Sequence, residues 1–208
     1  MKQTPQLLAF TAALFLASCE NPADKTANAT VSDAVQSTTA SSADGIAYTL
    51  TADSEIHFIG SKVTGSHSGG FKKLTGNFTV ANHALAGSGH KVSIDMNSVW
   101  TDNEKLTEHL KSEDFFNVAK FPESSFELTG IKTVSDGNYL VSGNLNLHGT
   151  TKKIAFPATA SITDGKVKIH AKFDINRKDF GITYAGKADD LIRDEVVIEL
   201  KLNAEPVS

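Results

Sequence analysis

One cysteine, Cys19, occurs among 208 residues. Nothing remains for it to pair with, so an intrachain disulfide and a multi-thiolate metal site are excluded. Long hydrophobic runs are missing as well. Leu7–Leu16 (LLAFTAALFL) carries no charge, but ten helical residues span only about 15 Å, half of a bilayer core. That length suits a signal-peptide core and not a membrane span. Surplus positive charge is absent: the formal charge is -4, and removal of Lys2 with a signal peptide makes it more acidic by one. Nucleic acid and an anionic membrane face are therefore poor partners. The seven histidines show no HxH or HExxH spacing, so no metal is expected. No GxSxG elbow occurs, and no acidic pair sits in an apolar setting. Gly69-Gly70 leads through Phe71 into a strand pattern, not a helix, so no phosphate cradle is expected there. The reading is a protein without cofactor or catalysis. Triads assemble in space, which keeps a small-molecule hydrolase or isomerase as a remote alternative.

Cys19 closes the string Leu16-Ala17-Ser18-Cys19 directly after the apolar run, and Lys2 is the only charge before it. The string resembles the lipobox of bacterial lipoproteins, in which cleavage precedes the cysteine and acyl chains are attached to it. That resemblance implies a signal peptide over 1–18, lipid attachment at Cys19, and a place in the bacterial cell envelope, on the inner or outer membrane. Stable anchoring needs more than one acyl chain, a condition that bacterial lipoproteins meet. Residues 20–45 contain no aromatic residue, Leu or Ile. Such a stretch buries too little apolar area to offset its ordering entropy, so 19–45 is expected to be an acylated cysteine with a disordered tether. As a flexible coil the tether would span about 30 Å.

Residues 46–208 suffice for one domain with a sizeable core. Their dominant rhythm is two. Val92, Ile94 and Met96 alternate with polar residues, as do Val167, Ile169, Ala171, Phe173 and Ile175, and near the C-terminus Val196, Ile198, Leu200, Leu202 and Ala204. Leu74, Phe78 and Val80 share a parity, as do Tyr139, Val141, Leu145 and Leu147, and likewise Ile154, Phe156, Ala158 and Ile162. Each such segment has one dry and one wet face. Turn signals at 52–54, 86–89, 135–138, 148–149 and 163–165 separate them. About eight half-dry antiparallel strands must stack as a sandwich or close into a barrel.

Two regions break the rhythm. In Thr101–Val118, Leu106 and Leu110 lie four apart on one helical face, with Asp102 or Asn103 as the cap. A helix there would plug or gate one end. Asn176–Ile182 (NRKDFGI) interrupts the ladder before the last strand.

The strings His109-Leu110-Lys111-Ser112-Glu113-Asp114-Phe115-Phe116, Phe121-Pro122, Leu145–Thr150 (LNLHGT) and Asn176–Ile182 together resemble the YceI-like family, over essentially all of 46–208. The resemblance implies an all-β fold: an eight-stranded antiparallel lipocalin-like barrel with a short helical insertion near 102–118. It also implies an apolar tube that carries a polyisoprenoid, isoprenoid quinone or similar amphiphile, and it leaves a homodimer open. Two departures stand out. Leu106-Thr107-Glu108 occupies a place where relatives often carry an Arg-Asp pair, and Gly60–Phe71 is Gly-rich.

An eight-stranded barrel is just wide enough to be packed solid or to hold one small ligand. Strand parity puts Phe58, Phe78, Phe126, Phe156 and Phe173 inward, with Phe115, Phe116 and Phe180 near an end. Ile94, Met96, Trp100, Leu145, Leu147 and Ile175 complete the expected apolar lining, and Leu106 and Leu110 face it from the helix. His109 and Arg177 are the candidates for head-group contacts; a backbone-bonded His109 is an equal account of the first, and a structural Arg177–Asp179 pair is the favoured account of the second. His148 reads as a turn-stabilising side chain, and His67 as a loop residue. A solid barrel whose loops bind another envelope protein is the competing function.

Overall fold

The period-two segments pair in chain order. The computed structural model describes residues 20–36, 45–81, 84–85 and 90–207; the signal peptide expected over 1–18 and the lipid attachment expected at Cys19 lie outside them. The strands are β1 (Ile46–Leu50 and Glu55–Lys62), β2 (Gly65–Phe71 and Leu74–Ala81), β3 (Lys91–Asp95 and Val99–Thr101), β4 (Glu123–Ser135), β5 (Asn138–Leu147), β6 (Thr150–Thr163), β7 (Lys166–Asn176) and β8 (Glu195–Pro206). Each is antiparallel to the next, from Lys62↔Gly65 through Ser135↔Asn138 and Leu147↔Thr150 to Thr163↔Lys166. β8 pairs with β7 on one side and β1 on the other, so the eight strands close into a barrel.

The first three strands each bend at one level, at 51–54, 72–73 and 96–98. The turn expected at 52–54 forms, the Ser54 amide donating to the Thr51 carbonyl at 3.0 Å, but as a bulge within β1 and not as a link between strands: pairing with β8 shifts by two residues between Leu50↔Ala204 and Glu55↔Lys201. Asn203 holds the bulge, its carbonyl accepting from the Ser54 hydroxyl at 2.9 Å and its amide donating back at 3.0 Å. The Gly-rich departure has a packing reason at two of its four glycines, Gly69 and Gly70. A Cβ on Gly69 would fall 2.5 Å from the Phe58 ring, and one on Gly70 3.1 Å from the Trp100 indole. His67 is a strand residue, opposite Gly60, and not part of a loop.

Helix α1 (Glu104–Lys111) fills the opening between the end of β3 and the start of β4. Asn103 caps it, its side chain accepting from the Leu106 amide at 3.1 Å. Asp102, the other cap candidate, instead ties β2 to the helix. It accepts from the Ser68 amide at 2.9 Å and meets the His67 ring at 2.8 Å. The Ser68 amide above all, against a little burial and with help from His67, holds the Asp102 carboxyl below its ordinary range. A depressed carboxylate stabilises the fold above its unfolded pKa, and that contribution is lost as pH falls through the folded value. Asp102→Asn should therefore lower the urea midpoint more at about pH 6 than at about pH 3. Equal loss at both pH values would show that charge plays no part.

One expectation is corrected. Residues 20–36 are not a free coil. A 3-10 turn (Pro22–Lys25) leads into two short strands, Ala27–Asn28 and Thr30–Asp33, which lie between β6 and β7. The tether missed this because the strands' ordering comes from long-range bonds, with Asp174 and Asn144, that no local pattern shows.

Candidate functional site

The inward faces of the strands enclose a cavity of about 730 Å³. Its wall is built by alternation: Phe78 and Val80 from β2, Val92 and Ile94 from β3, Val141, Leu145 and Leu147 from β5, and Phe156 and Ala158 from β6. Phe173 lies 4.1 Å from Phe156, centroid to centroid and nearly parallel, and Phe126 tilts against Phe156 at 5.6 Å. Leu110, Phe115 and Phe116, from α1 and the turn after it, line one end together with Ile182. Its exposed lining residues, Asn77, Lys91, Thr133, Asp136 and Ser161, mark an opening away from that helix.

Of the residues singled out from sequence, Phe58, Phe78, Ile94, Met96, Leu110, Phe115, Phe116, Phe126, Leu145, Leu147, Phe156, Phe173 and Ile175 line the cavity. Three apolar ones do not. Trp100 faces outward beside His57, because the 3-10 turn Met96–Ser98 resets the alternation and buries Val99 in its place. Leu106 packs in the cluster under the helix, behind Leu110 and Phe115. Phe180 is fully buried behind the wall, against Ile154 and Ile175.

The two head-group candidates are otherwise engaged. His109 sits outside the cavity, bonded to Asp114 at 2.8 Å and edge-on to Phe115 and Tyr184. Arg177 borders the cavity, but its guanidinium donates to the carbonyls of Ile182 (2.8 Å) and Arg193 (3.1 Å) and to Asp194 (3.2 Å). Burial lowers the Arg177 pKa, and Asp194 opposes that shift. The partner is thus Asp194 and not the Asp179 expected from sequence. His148 faces the Phe180 carbonyl at 3.3 Å and the Phe121 ring, in a hairpin turn where it and Gly149 both have positive φ.

Sequence reasoning left out Ile56, Leu128, Ile131, Val141, Ile154 and Leu200, all of which line the cavity. Val141, Ile154 and Leu200 lay in alternating sets already recognised, and their parity was the signal. Ile182 and Ile192 come from the irregular link between β7 and β8, where no periodicity announces them. Among the described residues, no group of three or more His, Cys, Asp or Glu is arranged to hold a metal ion.

The chain matches the family model described as YceI-like domain over residues 48–204. The chain belongs to the YceI-like family. Among its relatives, a UPF0312 protein of Yersinia pestis (strain Pestoides F) is 37% identical over 145 residues, covering 67% of this chain and 72% of the relative. A UPF0312 protein of Pseudomonas putida (strain W619) is 32% identical over 140 residues, covering 63% and 71%. Two solved structures share the YceI-like fold. Burkholderia cenocepacia BcnA superposes with a TM-score of 0.67 at 22% identity, covering 73% of this chain and 96% of that one. A polyisoprenoid binding domain from Saccharophagus degradans, implicated in plant cell wall breakdown, gives 0.63 at 20% identity, covering 78% and 99%.

Proposed function

We propose that this YceI-like barrel binds and carries, without catalysis, a long amphiphilic lipid such as a polyisoprenoid or isoprenoid quinone, in the bacterial cell envelope. The observation that carries the reading is the cavity of about 730 Å³ bounded by Phe, Ile, Leu and Val side chains. Its size falls within the range of small-molecule sites. About ten tail carbons buried at roughly 0.8 kcal/mol each would contribute near 8 kcal/mol gross. After the ordering costs of association, that corresponds to micromolar or weaker affinity for short tails and tighter binding for long ones. The description of the Saccharophagus domain as polyisoprenoid binding adds support from a protein of the same fold. The competing function, a barrel packed solid that acts through its loops, is disfavoured by the same cavity.

Solvent extraction of the full-length protein purified from cells, followed by mass spectrometry, should yield one lipid per folded barrel. Lipid-free protein that also fails to retain added isoprenoid quinones or alcohols would overturn the reading.

The lipobox-like LASC string supports anchoring through Cys19. With the described chain ordered from Glu20 onward, such an anchor would hold the barrel close to the bilayer, not on a 30 Å leash. Cys19→Ala should leave the protein without acyl chains and move it to soluble fractions, checked by fractionation and intact-mass measurement. A variant that stayed with the membranes would remove the anchor from this reading.

A further inference from the structure

The barrel wall is incomplete without the chain's N-terminal segment. β6 and β7 pair from Thr163↔Lys166 to Thr159↔His170, and there their ladder stops. Beyond that point the two strands part, although each stays fully bonded on its other side, β6 to β5 and β7 to β8, through ten residue pairs apiece. The slot between them is filled by Ala27–Asn28, parallel to β7 at Phe173 and Asp174, and by Thr30–Asp33, antiparallel to β6 at Lys152–Ala155. The stacked rings of Phe156 and Phe173 bridge one end of the slot, and buried Phe180 belongs to the same apolar cluster.

The filler is held differently from the other strands. It buries only small side chains, Ala29 almost completely and Ala23 to 9% exposure, while Val31 is partly covered. Ala29 sits in one cluster with the cavity-lining Ile154, Phe156 and Phe173, so it backs the tube directly. Much of the rest is polar. The Ala29 amide donates to the Asp174 carbonyl at 2.9 Å. The Thr26 hydroxyl and the Asn28 side-chain amide each donate to the Asp174 carboxylate at 2.8 Å. Lys152 pairs with Asp33 on the exposed side. Water can replace every one of these bonds, and no large apolar group has to leave its pocket.

We propose that residues 22–33 form a detachable strand of the wall, and that the lipid enters and leaves the tube sideways through the slot this strand closes. The inference rests on the reading of the tube as a lipid site. Strands pair about 4.8 Å apart, so withdrawal of the filler leaves β6 and β7 roughly 10 Å apart, wider than one hydrocarbon chain. The slot runs about 20 Å along the barrel, the length of seven extended residues. A tail passing sideways need not be drawn lengthwise through water past the polar rim of the open end. The detachable strand also continues the proposed anchor: Cys19 is the residue before Glu20, so acyl chains on Cys19 would be joined to the strand with little slack.

A reversible lock tests this. In the full-length chain carrying Cys19→Ser, Asp33→Cys with Lys152→Cys places two thiols at directly opposed strand positions. The protein is loaded with tritiated geranylgeraniol, and transfer to phosphatidylethanolamine vesicles is timed. The oxidised, locked form should transfer roughly tenfold more slowly than the reduced form, with full recovery on reduction. Equal rates in the two states would overturn the proposal. A second readout needs no lipid: the Ala29 amide should exchange its hydrogen roughly a hundredfold faster than amides of the β7–β8 ladder. Protection equal to that ladder would also overturn it. Failure of both forms to take up geranylgeraniol would count against the lipid reading of the tube, and hydrogen exchange would still decide whether the strand opens.

Discussion

Phe173→Asp is expected to abolish lipid retention. Phe173 is 3% exposed and stacked on Phe156 within the cavity wall. Its replacement removes an aromatic contact surface, and large-to-small changes at such sites remove about 3–5 kcal/mol of stability. It also sets a carboxylate against hydrocarbon, where the group either takes up a proton or disfavours an apolar tail by several kcal/mol. Because this variant could unfold, Val141→Trp serves beside it. Val141 faces the same cavity opposite Phe156, and an indole there occupies the lumen without introducing charge. Both variants should lose the lipid by extraction and mass spectrometry, and Val141→Trp should keep a cooperative thermal transition. A folded Val141→Trp protein with a full complement of lipid would place the ligand outside the tube.

Arg177→Met should destabilise the barrel strongly and leave binding per folded molecule unchanged. The guanidinium is 4% exposed as a residue and gathers the carbonyls of Ile182 and Arg193 with the Asp194 carboxylate. It thereby fixes the link between β7 and β8, which brings Ile182 and Ile192 to the cavity. Removal orphans the Ile182 and Arg193 carbonyls, at about 1–3 kcal/mol for each buried acceptor left unsatisfied, while Asp194 keeps Lys178 at 2.8 Å. Lysine offers a single point of donation where arginine offers a fork, so Arg177→Lys should recover little. Urea titration reads the stability and lipid content per folded protein reads the binding. A variant of near-normal stability that had lost its lipid would return Arg177 to head-group duty.

The strands were legible because alternation is a local signal that the closed sheet preserves, while the choice of barrel over sandwich came from the family resemblance. Val167 to Ile175 and Val196 to Ala204 keep one parity through whole strands, so their cavity-facing members were legible. Trp100 misled because three 3-10 residues intervene after the regular part of β3, and a reset of parity leaves no mark in composition. The N-terminal strand was illegible for a different reason. Its ordering comes from Asp174, 148 positions beyond Thr26, and from a slot that exists only once β6 and β7 have parted. Arg177 reads from sequence as a head-group contact or a partner of Asp179, but its partners are mostly backbone carbonyls, which no sequence pattern displays.

The most direct measurement is the affinity of the purified full-length protein, stripped of lipid, for isoprenoid alcohols of increasing length. Each buried methylene adds about 0.8 kcal/mol, near fourfold in Kd. Affinity should climb steeply with each isoprene unit and level off once the tail fills the tube. Affinity that did not change with tail length would mean that the ligand, if any, lies elsewhere and that the lumen is not the binding site.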